Sequence, residues 1–424
     1  MVYDSPNIQN IYNNLVKFLS AKSCSSIAVG VSGGSDSTFL LLMLHKVGRA
    51  LGIKVVGLIV NHNIRAESCS EANSVQSYFK DLGITVNVLH VTTNINKSIQ
   101  ENARIERYKL LLEYCTNKNI QYLFIAHNLE DQLETYIMRK SKGDNIVGLS
   151  CMHRYRIVDN ITLLRPMLTL SNVCIKQYLS NNNYLWVEDP SNTNLHYSRV
   201  RVRQELAKLD DSKKTAILSD IYSHQTQRLI IEAQVDYFIH NYISISNYLE
   251  IKVPYNKLYL LPNTSQIYLL RYILRVAGGM RYGIAIKKSK DILNILNSNC
   301  NIKVTAGRCI IHKKHNYIYI FREYRNIEIY PVSEHSNTYR WDGRFIINYI
   351  PQEFKRPGVV LQPLTYSDYC NLLLQDDYRP YLLDMYSKHN IRTLPWIYEN
   401  GSLIVSSILC TLKQDFFSNY VIKK

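Results

Sequence analysis

One run of the sequence combines residue types that can hold a phosphate: Ser32, Gly33, Gly34, Ser35, Asp36 and Ser37. Paired glycines allow a tight turn and let backbone N–H groups approach an anion. The hydroxyls can donate to phosphate oxygens, and the Asp36 carboxylate can hold a Mg²⁺ that bridges them. A serine-capped helix after a glycine turn is the alternative interpretation. Because the run follows a strand-like stretch and opens a helical one, its position favours a phosphate site.

This loop differs from the Walker sequence G-x-x-x-x-G-K-[ST] and resembles the pyrophosphate loop of N-type ATP pyrophosphatases. Those enzymes cleave ATP between the α- and β-phosphates, transfer AMP to an oxygen atom and release pyrophosphate. The resemblance therefore implies that ATP is a substrate and that adenylation precedes a nucleophilic displacement. It does not identify the group that is adenylated.

Further polar residues fall just beyond the ends of predicted strands, where a parallel sheet binds its ligand: His62, Arg65, His127 and Asp131. Asp131 and Glu134 lie three residues apart on a predicted helix, so their carboxylates project from one face. Beside an ATP site these acids could share Mg²⁺, with Asp36 and Asp131 as the metal pair, or could hold an ammonium group. The structural alternatives are a solvated helix N-terminus and two packed imidazoles.

Two groups of arginines could stabilise negative charge, because a guanidinium group is always charged and binds phosphate in a bidentate manner. Arg104 and Arg107 lie three residues apart on a predicted helix, although Arg107 could instead pair with acids on an exposed helix face. The second group comprises Arg199, Arg201 and Arg203. These three could line a groove against nucleic-acid phosphate or close over the ATP site.

The elements that must position these residues alternate along the first half of the sequence. The predicted strands are Ser26–Val31, Lys54–Val60, Ile84–Val91 and Gln121–Ala126. The predicted helices are Ser37–Arg49, Glu67–Leu82, Ser98–Asn117 and Glu130–Lys140. This alternation predicts an α/β fold, a Rossmann-like parallel sheet with helices on both faces and ligands at the carboxyl ends of its strands.

The alternation stops near Gly143, and residues 210–297 show mainly helical periodicity. The alternating runs Ile302–Thr305 and Cys309–Phe321 then indicate a small hairpin, and residues 326–424 predict short strands and one helix. We therefore expect a catalytic domain, a mainly helical middle domain and a small α+β C-terminal domain. Their predicted bounds are 1–208, 209–325 and 326–424.

The composition favours a cytoplasmic protein with a polyanionic partner. The 50 Lys and Arg residues exceed the 34 Asp and Glu residues, and such an excess favours phosphate through counterion release, although a solvated basic surface is the alternative. The nine cysteines include no C-x-x-C pair, so neither a disulfide framework nor a four-thiolate metal site is expected. We expect no membrane span, because no apolar run approaches roughly 18 residues. We also expect no secretory signal.

The polar motifs follow one another in an order similar to that of tRNA(Ile)-lysidine synthetases. They occupy residues 32–37, 61–68, 101–108, 126–135, 165–168, 186–192 and 199–203. Two later stretches resemble the family more loosely, namely 302–321 and 392–405. The resemblance implies an ATP- and Mg²⁺-dependent ligase that joins free L-lysine to the wobble cytidine of the CAU-anticodon isoleucine tRNA. The base would be adenylated at its C2 oxygen and the lysine ε-amine would displace AMP, so that the tRNA reads AUA.

The resemblance also implies roles for individual residues. The implied catalytic residues are Asp36, Asp131 and Arg104, and the implied metal ligands are Asp36 and Asp131. The implied ATP-binding residues are those of the loop at 32–37 together with His62, Arg65 and His127. The implied lysine-binding residues are Asp131, Glu134 and Arg199. The implied tRNA-binding residues are Arg107, Arg201, Arg203 and Arg392.

The sequence departs from the family at two positions. Asn61 stands where the family commonly has Asp, so we assign it no acid role. Val200 replaces the Asn of the family's R-N-x-L-R run, which removes a hydrogen-bonding group while the flanking arginines persist. Which acid holds Mg²⁺ and which holds lysine stays open, as does a homodimer; no obligate protein partner is expected.

Three other functions are weighed against this one. A tRNA thiolase would use the same adenylation to deliver sulfur, but such enzymes generally need positioned cysteines or an iron–sulfur cluster, and only Cys69 borders the motifs. An inactive tRNA-binding paralogue is disfavoured by the intact loop and by Asp131. An amidotransferase for small molecules is disfavoured by the basic charge and the additional domains.

Overall fold

The computed structural model describes twelve stretches of the chain: residues 8–62, 68–91, 99–141, 143, 145–158, 160–188, 198–246, 250–297, 301–333, 339–347, 350–375 and 391–404. The chain separates into two compact units, Met1–Arg228 and Leu229–Lys424. The division into three domains stays a prediction. In the part of the chain that the structure describes, no helix is long and apolar enough to span a bilayer.

The first unit is built on a six-stranded sheet. Its strands are β1 (Ser26–Val31), β2 (Lys54–Asn61), β3 (Thr85–His90), β4 (Tyr122–Phe124), β5 (Tyr155–Val158) and β6 (Ile161–Leu164). Their order is β3-β2-β1-β4-β6-β5, and all neighbours are parallel except β5 and β6. The four predicted strands are confirmed. The antiparallel β5–β6 pair was not predicted, because its short strands lie in a stretch without clear alternation.

Helices cover both faces of this sheet, as predicted. They are α1 (Ile8–Ser20), α2 (Ser35–Leu51), α3 (Ser68–Asp81), α4 (Ile99–Asn117), α5 (Leu129–Lys140), α6 (Ile146–Leu149), α7 (Asn172–Asn181) and α8 (Ser198–Ala207). In β1, Ile27 and Val29 pack with α1 and α2 on one face, whereas Ala28 packs with Leu111 of α4 on the other. Burial on both faces explains why the strand is a continuous apolar run rather than an alternating one.

A long helix, α9 (Asp211–Tyr242), leads into the second unit. There follow α10 (Tyr255–Leu258), α11 (Asn263–Ala277) and α12 (Ile286–Leu296), so the segment is mainly helical, as expected. The expected small hairpin is instead part of a five-stranded antiparallel sheet. Its strands are β7 (Ser244–Ile245), β8 (Ile251–Pro254), β9 (Ile302–Ala306), β10 (Cys309–Lys314) and β11 (Tyr317–Arg322), in the order β7-β8-β11-β10-β9. The run Cys309–Phe321 forms two strands because His315, with φ 54°, starts a turn.

In the described part of the chain, the remaining elements are short strands, one α-helix and the 3-10 helix Gln352–Phe354; the short strands and the α-helix agree with the prediction. They are β12 (Tyr330–Pro331), β13 (Tyr339–Trp341), β14 (Phe345–Ile347), β15 (Val359–Gln362), α13 (Tyr366–Leu373), β16 (Trp396–Glu399) and β17 (Ser402–Leu403). A buried ion-pair network connects β11 to the β13–β14 hairpin. Asp342 accepts hydrogen bonds from Arg322 at 2.8 and 2.9 Å and from Arg344 at 2.7 Å. Because every partner in it is paired, this network is tolerated in the interior.

Candidate active site

The loop between β1 and α2 is held by its own hydrogen bonds. Ser32 donates its backbone N–H to Ser37 Oγ at 3.1 Å, and Ser37 Oγ donates to the Gly34 carbonyl at 3.1 Å. Gly33 has φ +83°, and a Cβ there would lie 2.9 Å from Val75 Cγ2, so only glycine fits without strain. Gly34 offers no side-chain cap to the 17-residue helix α2. The N–H groups of its first turn therefore suit a phosphate.

A second segment, residues 184–188, packs against this loop. Val187 donates its backbone N–H to the Gly33 carbonyl at 2.9 Å. The segment is held in turn by Leu185, whose N–H bonds to the Tyr78 hydroxyl at 2.9 Å, and by Glu188, which pairs with Lys176 at 2.6 Å. Residues 186–188 of the motif at 186–192 therefore support the phosphate loop. The rest of that motif lies outside the described residues.

Asp36 and Asp131 are brought together through Asn128. The Asn128 side chain accepts the Asp131 N–H at 3.0 Å, and Asp131 Oδ2 accepts the Asn128 N–H at 3.1 Å, which forms a capping box at the start of α5. The Asn128 side chain also hydrogen-bonds to Asp36. Burial raises the pKa of Asp36 and the charge of Asp131 adds to this, whereas hydrogen bonds from Asn128 and Asn172 oppose it.

Carboxylate oxygens are the ligands that Mg²⁺ prefers, so the predicted pair of Asp36 and Asp131 fits that ion by its chemistry. Among the residues that the structure describes, no group of three His, Cys, Asp or Glu side chains could hold a metal ion. Protein groups in nucleotide sites often supply only one or two carboxylates, and phosphates and water complete the shell. The pair is therefore suited to a cation that arrives with ATP.

Glu134 lies one turn further along α5 and is 1% exposed. Its Oε1 accepts a hydrogen bond from Arg203 Nε at 2.5 Å. Its Oε2 is buried and has no hydrogen-bond partner among the described residues. Burial raises the pKa of Glu134, and the hydrogen bond from Arg203 opposes that rise. An ammonium group could satisfy the remaining oxygen, because a buried acceptor without a partner is costly.

The charges of four arginines act on His127: Arg104, Arg107, Arg165 and Arg199. Burial and the charges of these arginines lower the pKa of His127 to about 3, so its imidazole is neutral at physiological pH. Its Nδ1 is buried without a hydrogen-bond partner in the described stretches. Burial is the larger cause of this lowered pKa, and the four positive charges add to it, which suits an anionic ligand.

Tyr108 connects two of these arginines. Arg104 donates to the Tyr108 hydroxyl at 3.3 Å, and its guanidinium carbon lies 5.1 Å from the centroid of that ring. Arg165, only 8% exposed, hydrogen-bonds to the same tyrosine and donates to the His153 carbonyl at 2.9 Å. Arg165 belongs to a recognised motif, but nothing in the sequence indicated that it would lie beside His127.

The remaining predicted residues lie in several places. His62 is beside Arg107: burial and that charge lower its pKa, and both ring nitrogens are buried without partners among the described residues. Arg65 lies outside the described residues. In the second unit, the Arg392 guanidinium lies 4.0 Å from the centroid of the Tyr324 ring and 5.4 Å from that of Tyr366. A role for Arg392 in tRNA binding stays a prediction.

The three arginines of α8 separate, because the segment is a helix rather than an extended chain. Residues four apart share a helix face, and residues two apart point about 200° from one another. Arg203 pairs with Glu134, and the charge of Arg199 acts on both Glu134 and His127. Arg201 is exposed and lies on another face of α8. Arg199 and Arg203 thus lie on the face of α8 that contains the Glu134 partner, and whether the arginines bind nucleic-acid phosphate or close over the ATP site stays a prediction.

Three site residues received no role from the sequence. Asn128 carries a recognisable signal, since Asn-x-x-Asp before a helix indicates a capping box. Glu130 and Asn172 carry none. Asn172 Nδ2 donates to Asp36 Oδ1 at 2.9 Å across 136 positions of sequence, and Glu130 accepts the Asn172 N–H at 2.9 Å.

Comparisons with known proteins identify a family and several similar chains. A family model described as a PP-loop domain matches residues 6–209. The tRNA(Ile)-lysidine synthase of Wolbachia pipientis wMel is 32% identical over 347 residues, which are 80% of this chain and 79% of that protein. The protein of the same name from Wolbachia sp. subsp. Brugia malayi (strain TRS) is 32% identical over 76% of both chains. Among solved structures, the U34-tRNA thiolase NcsA from Methanococcus maripaludis covers 52% of this chain and 78% of its own, with a TM-score of 0.45 and 17% identity.

Proposed function

Because the chain belongs to the tRNA(Ile)-lysidine synthase family, we propose that it uses ATP to join lysine to the wobble cytidine of the CAU-anticodon isoleucine tRNA. The bond forms at C2 of the base, and the products are lysidine, AMP and pyrophosphate. The modified base then pairs with A, so that the tRNA reads AUA as isoleucine.

One observation supports this proposal: the charge of Arg199 acts both on a buried acid that suits a cation and on a histidine whose other charged neighbours suit an anion. The unpartnered oxygen of Glu134 suits the ammonium group of an amino acid. The arginines around His127 suit phosphate. Arg199 acts electrostatically on both residues, which supports their proximity. A ligase for ATP and an amine requires these two subsites next to each other.

In the first step the C2 oxygen of the cytidine attacks the α-phosphorus of ATP and pyrophosphate leaves. The loop at 32–37 and the start of α2 donate hydrogen bonds to the phosphates, and Arg104 and Arg107 stabilise the charge that develops there. Asp36 and Asp131 would hold Mg²⁺, which would supply positive charge to the phosphates of ATP. Neutral His127 can donate one hydrogen bond without adding charge.

In the second step the lysine ε-amine attacks C2 of the base and AMP leaves. Glu134 holds an ammonium group of lysine, and Arg203 keeps the Glu134 carboxylate in place through its hydrogen bond. Arg199 is on the same face of α8 as Arg203. Its charge acts on both Glu134 of the lysine subsite and His127 of the phosphate subsite. Holding the amine beside the adenylated base makes the displacement effectively intramolecular.

The second unit offers a basic surface for the tRNA. On one face of the five-stranded sheet, the register aligns Lys252, Tyr319, His312 and Lys303 in a row across β8, β11, β10 and β9. Lys314 and Tyr317 pair in the next row, and Lys252 Nζ lies 3.9 Å from the centroid of the Tyr317 ring. Burial lowers the pKa of His312 most, and the charges of Lys303 and Lys314 lower it further. Lys303, Lys314 and Tyr317 are exposed on this face, whereas Tyr319 is buried, so the exposed lysines suit phosphates.

The experiment that tests the function is incorporation of labelled lysine into a CAU-anticodon isoleucine tRNA transcript, with and without ATP. We expect ATP-dependent incorporation that disappears when the wobble C is changed to U. Pyrophosphate release without lysine transfer would indicate another nucleophile, such as sulfur. Binding of tRNA with neither lysine transfer nor pyrophosphate release would indicate an RNA-binding paralogue.

A further inference from the structure

Asn172 contacts the phosphate loop although it is remote from it in sequence. It is the first residue of α7, and its side-chain amide donates to Asp36 Oδ1 at 2.9 Å and to Ser35 Oγ at 3.3 Å. A single side chain therefore touches both the proposed metal ligand and the residue before it. The amide nitrogen carries two hydrogens, so it can make both bonds at once.

The position of Asn172 is itself fixed by the start of α5. Glu130 Oε2 accepts the Asn172 N–H at 2.9 Å, and Leu129 donates its N–H to the Leu170 carbonyl at 3.1 Å. The Ser171 side chain also caps α7 by accepting the Cys174 N–H at 3.3 Å. With its backbone held on both sides, Asn172 has little freedom to move its amide away from Asp36.

We propose that Asn172 is a positioning residue that holds the Asp36 carboxylate in the orientation needed to bind the divalent cation of Mg²⁺·ATP, and that Glu130 positions Asn172. The inference rests on the proposed function, because it assumes that Asp36 is a metal ligand. Ligating carboxylates are commonly oriented by a second hydrogen bond, and losing such a partner typically lowers metal affinity about 10- to 100-fold. Asn172 reaches the metal only through Asp36, so it is not a catalytic residue.

The test measures ATP binding to the full chain by calorimetry at a series of Mg²⁺ concentrations. Asn172→Ala removes the amide and leaves a gap, whereas Asn172→Leu removes the amide and keeps a similar volume. We expect both variants to raise the Mg²⁺ concentration for half-maximal ATP binding about tenfold or more, with lysine affinity unchanged. The matched control is Asn182→Ala at the other end of α7, where the side-chain amide donates to the nearby Tyr178 carbonyl at 2.8 Å.

The outcomes separate this inference from the function on which it rests. If the wild-type chain binds Mg²⁺·ATP and both Asn172 variants keep the wild-type Mg²⁺ dependence, the positioning role is wrong and the function stands. If Asn172→Leu behaves like the wild type and only Asn172→Ala is impaired, Asn172 acts by packing and the inference is also wrong. If the folded wild-type chain binds no ATP at any Mg²⁺ concentration, both the proposed function and the inference are wrong.

Discussion

Replacing Glu134 with glutamine should weaken lysine binding. The same substitution should stabilise the folded state at neutral pH. The carboxylate is 1% exposed, and one of its oxygens has no partner among the described residues. A hydrogen bond to a charged group contributes about 1.5–3 kcal/mol, and 1.4 kcal/mol is a factor of ten in affinity. The lysine KM should therefore rise about 10- to 150-fold. Arg203 is 44% exposed, so water can solvate its charge once the partner is neutral.

The effect on stability follows from the pKa of Glu134. Burial raises that pKa above its ordinary value of 4.5, so the folded state favours the protonated carboxyl group. The raised pKa of Glu134 therefore stabilises the folded state, and this stabilisation is complete below pH 4.5. It is lost as the pH rises through the folded-state pKa. Glutamine is neutral at every pH, so Glu134→Gln should have the higher melting temperature at pH 7. The difference should vanish below about pH 4.5.

The assay is labelled-lysine transfer to tRNA at saturating ATP and tRNA, with lysine affinity measured by calorimetry and melting temperature measured from pH 4 to 8. Glu113→Gln is the matched control, because Glu113 is exposed on α4. It should leave both lysine affinity and melting temperature unchanged. An unchanged lysine affinity in Glu134→Gln, combined with a higher Mg²⁺ requirement, would refute the reasoning and assign Glu134 to the metal.

Three further predictions concern other residues. Asp36→Ala and Asp131→Ala should each abolish pyrophosphate release while circular dichroism remains that of the wild type; near-normal turnover in either variant would exclude its metal role. The double change of Lys303 and Lys314 to alanine should weaken tRNA binding and reduce the slope of log affinity against log salt by about 1.4–1.8. The same slope as in the wild type would remove the sheet face from the tRNA site. The matched double control replaces two exposed lysines of the first unit: Lys54 and Lys118. His127 should stay neutral down to about pH 3, so its NMR titration should show no step near pH 6.5; a step there would mean that burial and the arginine charges do not lower its pKa.

Much of the first unit could be predicted because its signals are local. Ser26–Val31 reads as a buried strand from its apolar residues alone, and the glycines that follow it permit the turn that a phosphate loop needs. Asp131 and Glu134 lie on one helix, as predicted, and the capping residue Asn128 hydrogen-bonds to both Asp131 and Asp36 of the loop. The antiparallel pair β5–β6 gave no such signal, because four-residue strands carry too few positions to establish a period.

The arginines of α8 show where local signals end. Their alternating spacing was compatible with one groove or with closure over the ATP site. The helical conformation of Ser198–Ala207 turns Arg201 away from Arg199 and Arg203. Which of them pairs with Glu134 depends on how α8 packs against α5. Packing between elements is decided by the whole core, and no window of sequence around residue 203 contains that information.

The sequence by itself determined the type of chemistry: a glycine- and serine-rich loop after a first strand, acids at the start of a helix, and arginines in a fixed order. Those features depend on backbone conformation and on spacing within one element, which neighbouring residues control. Only the tertiary structure decided which side chains meet, including Asn172 with Asp36, Arg203 with Glu134 and the arginines around His127. Such contacts join residues far apart in the chain, because the parallel sheet brings the carboxyl ends of separate strands to one edge.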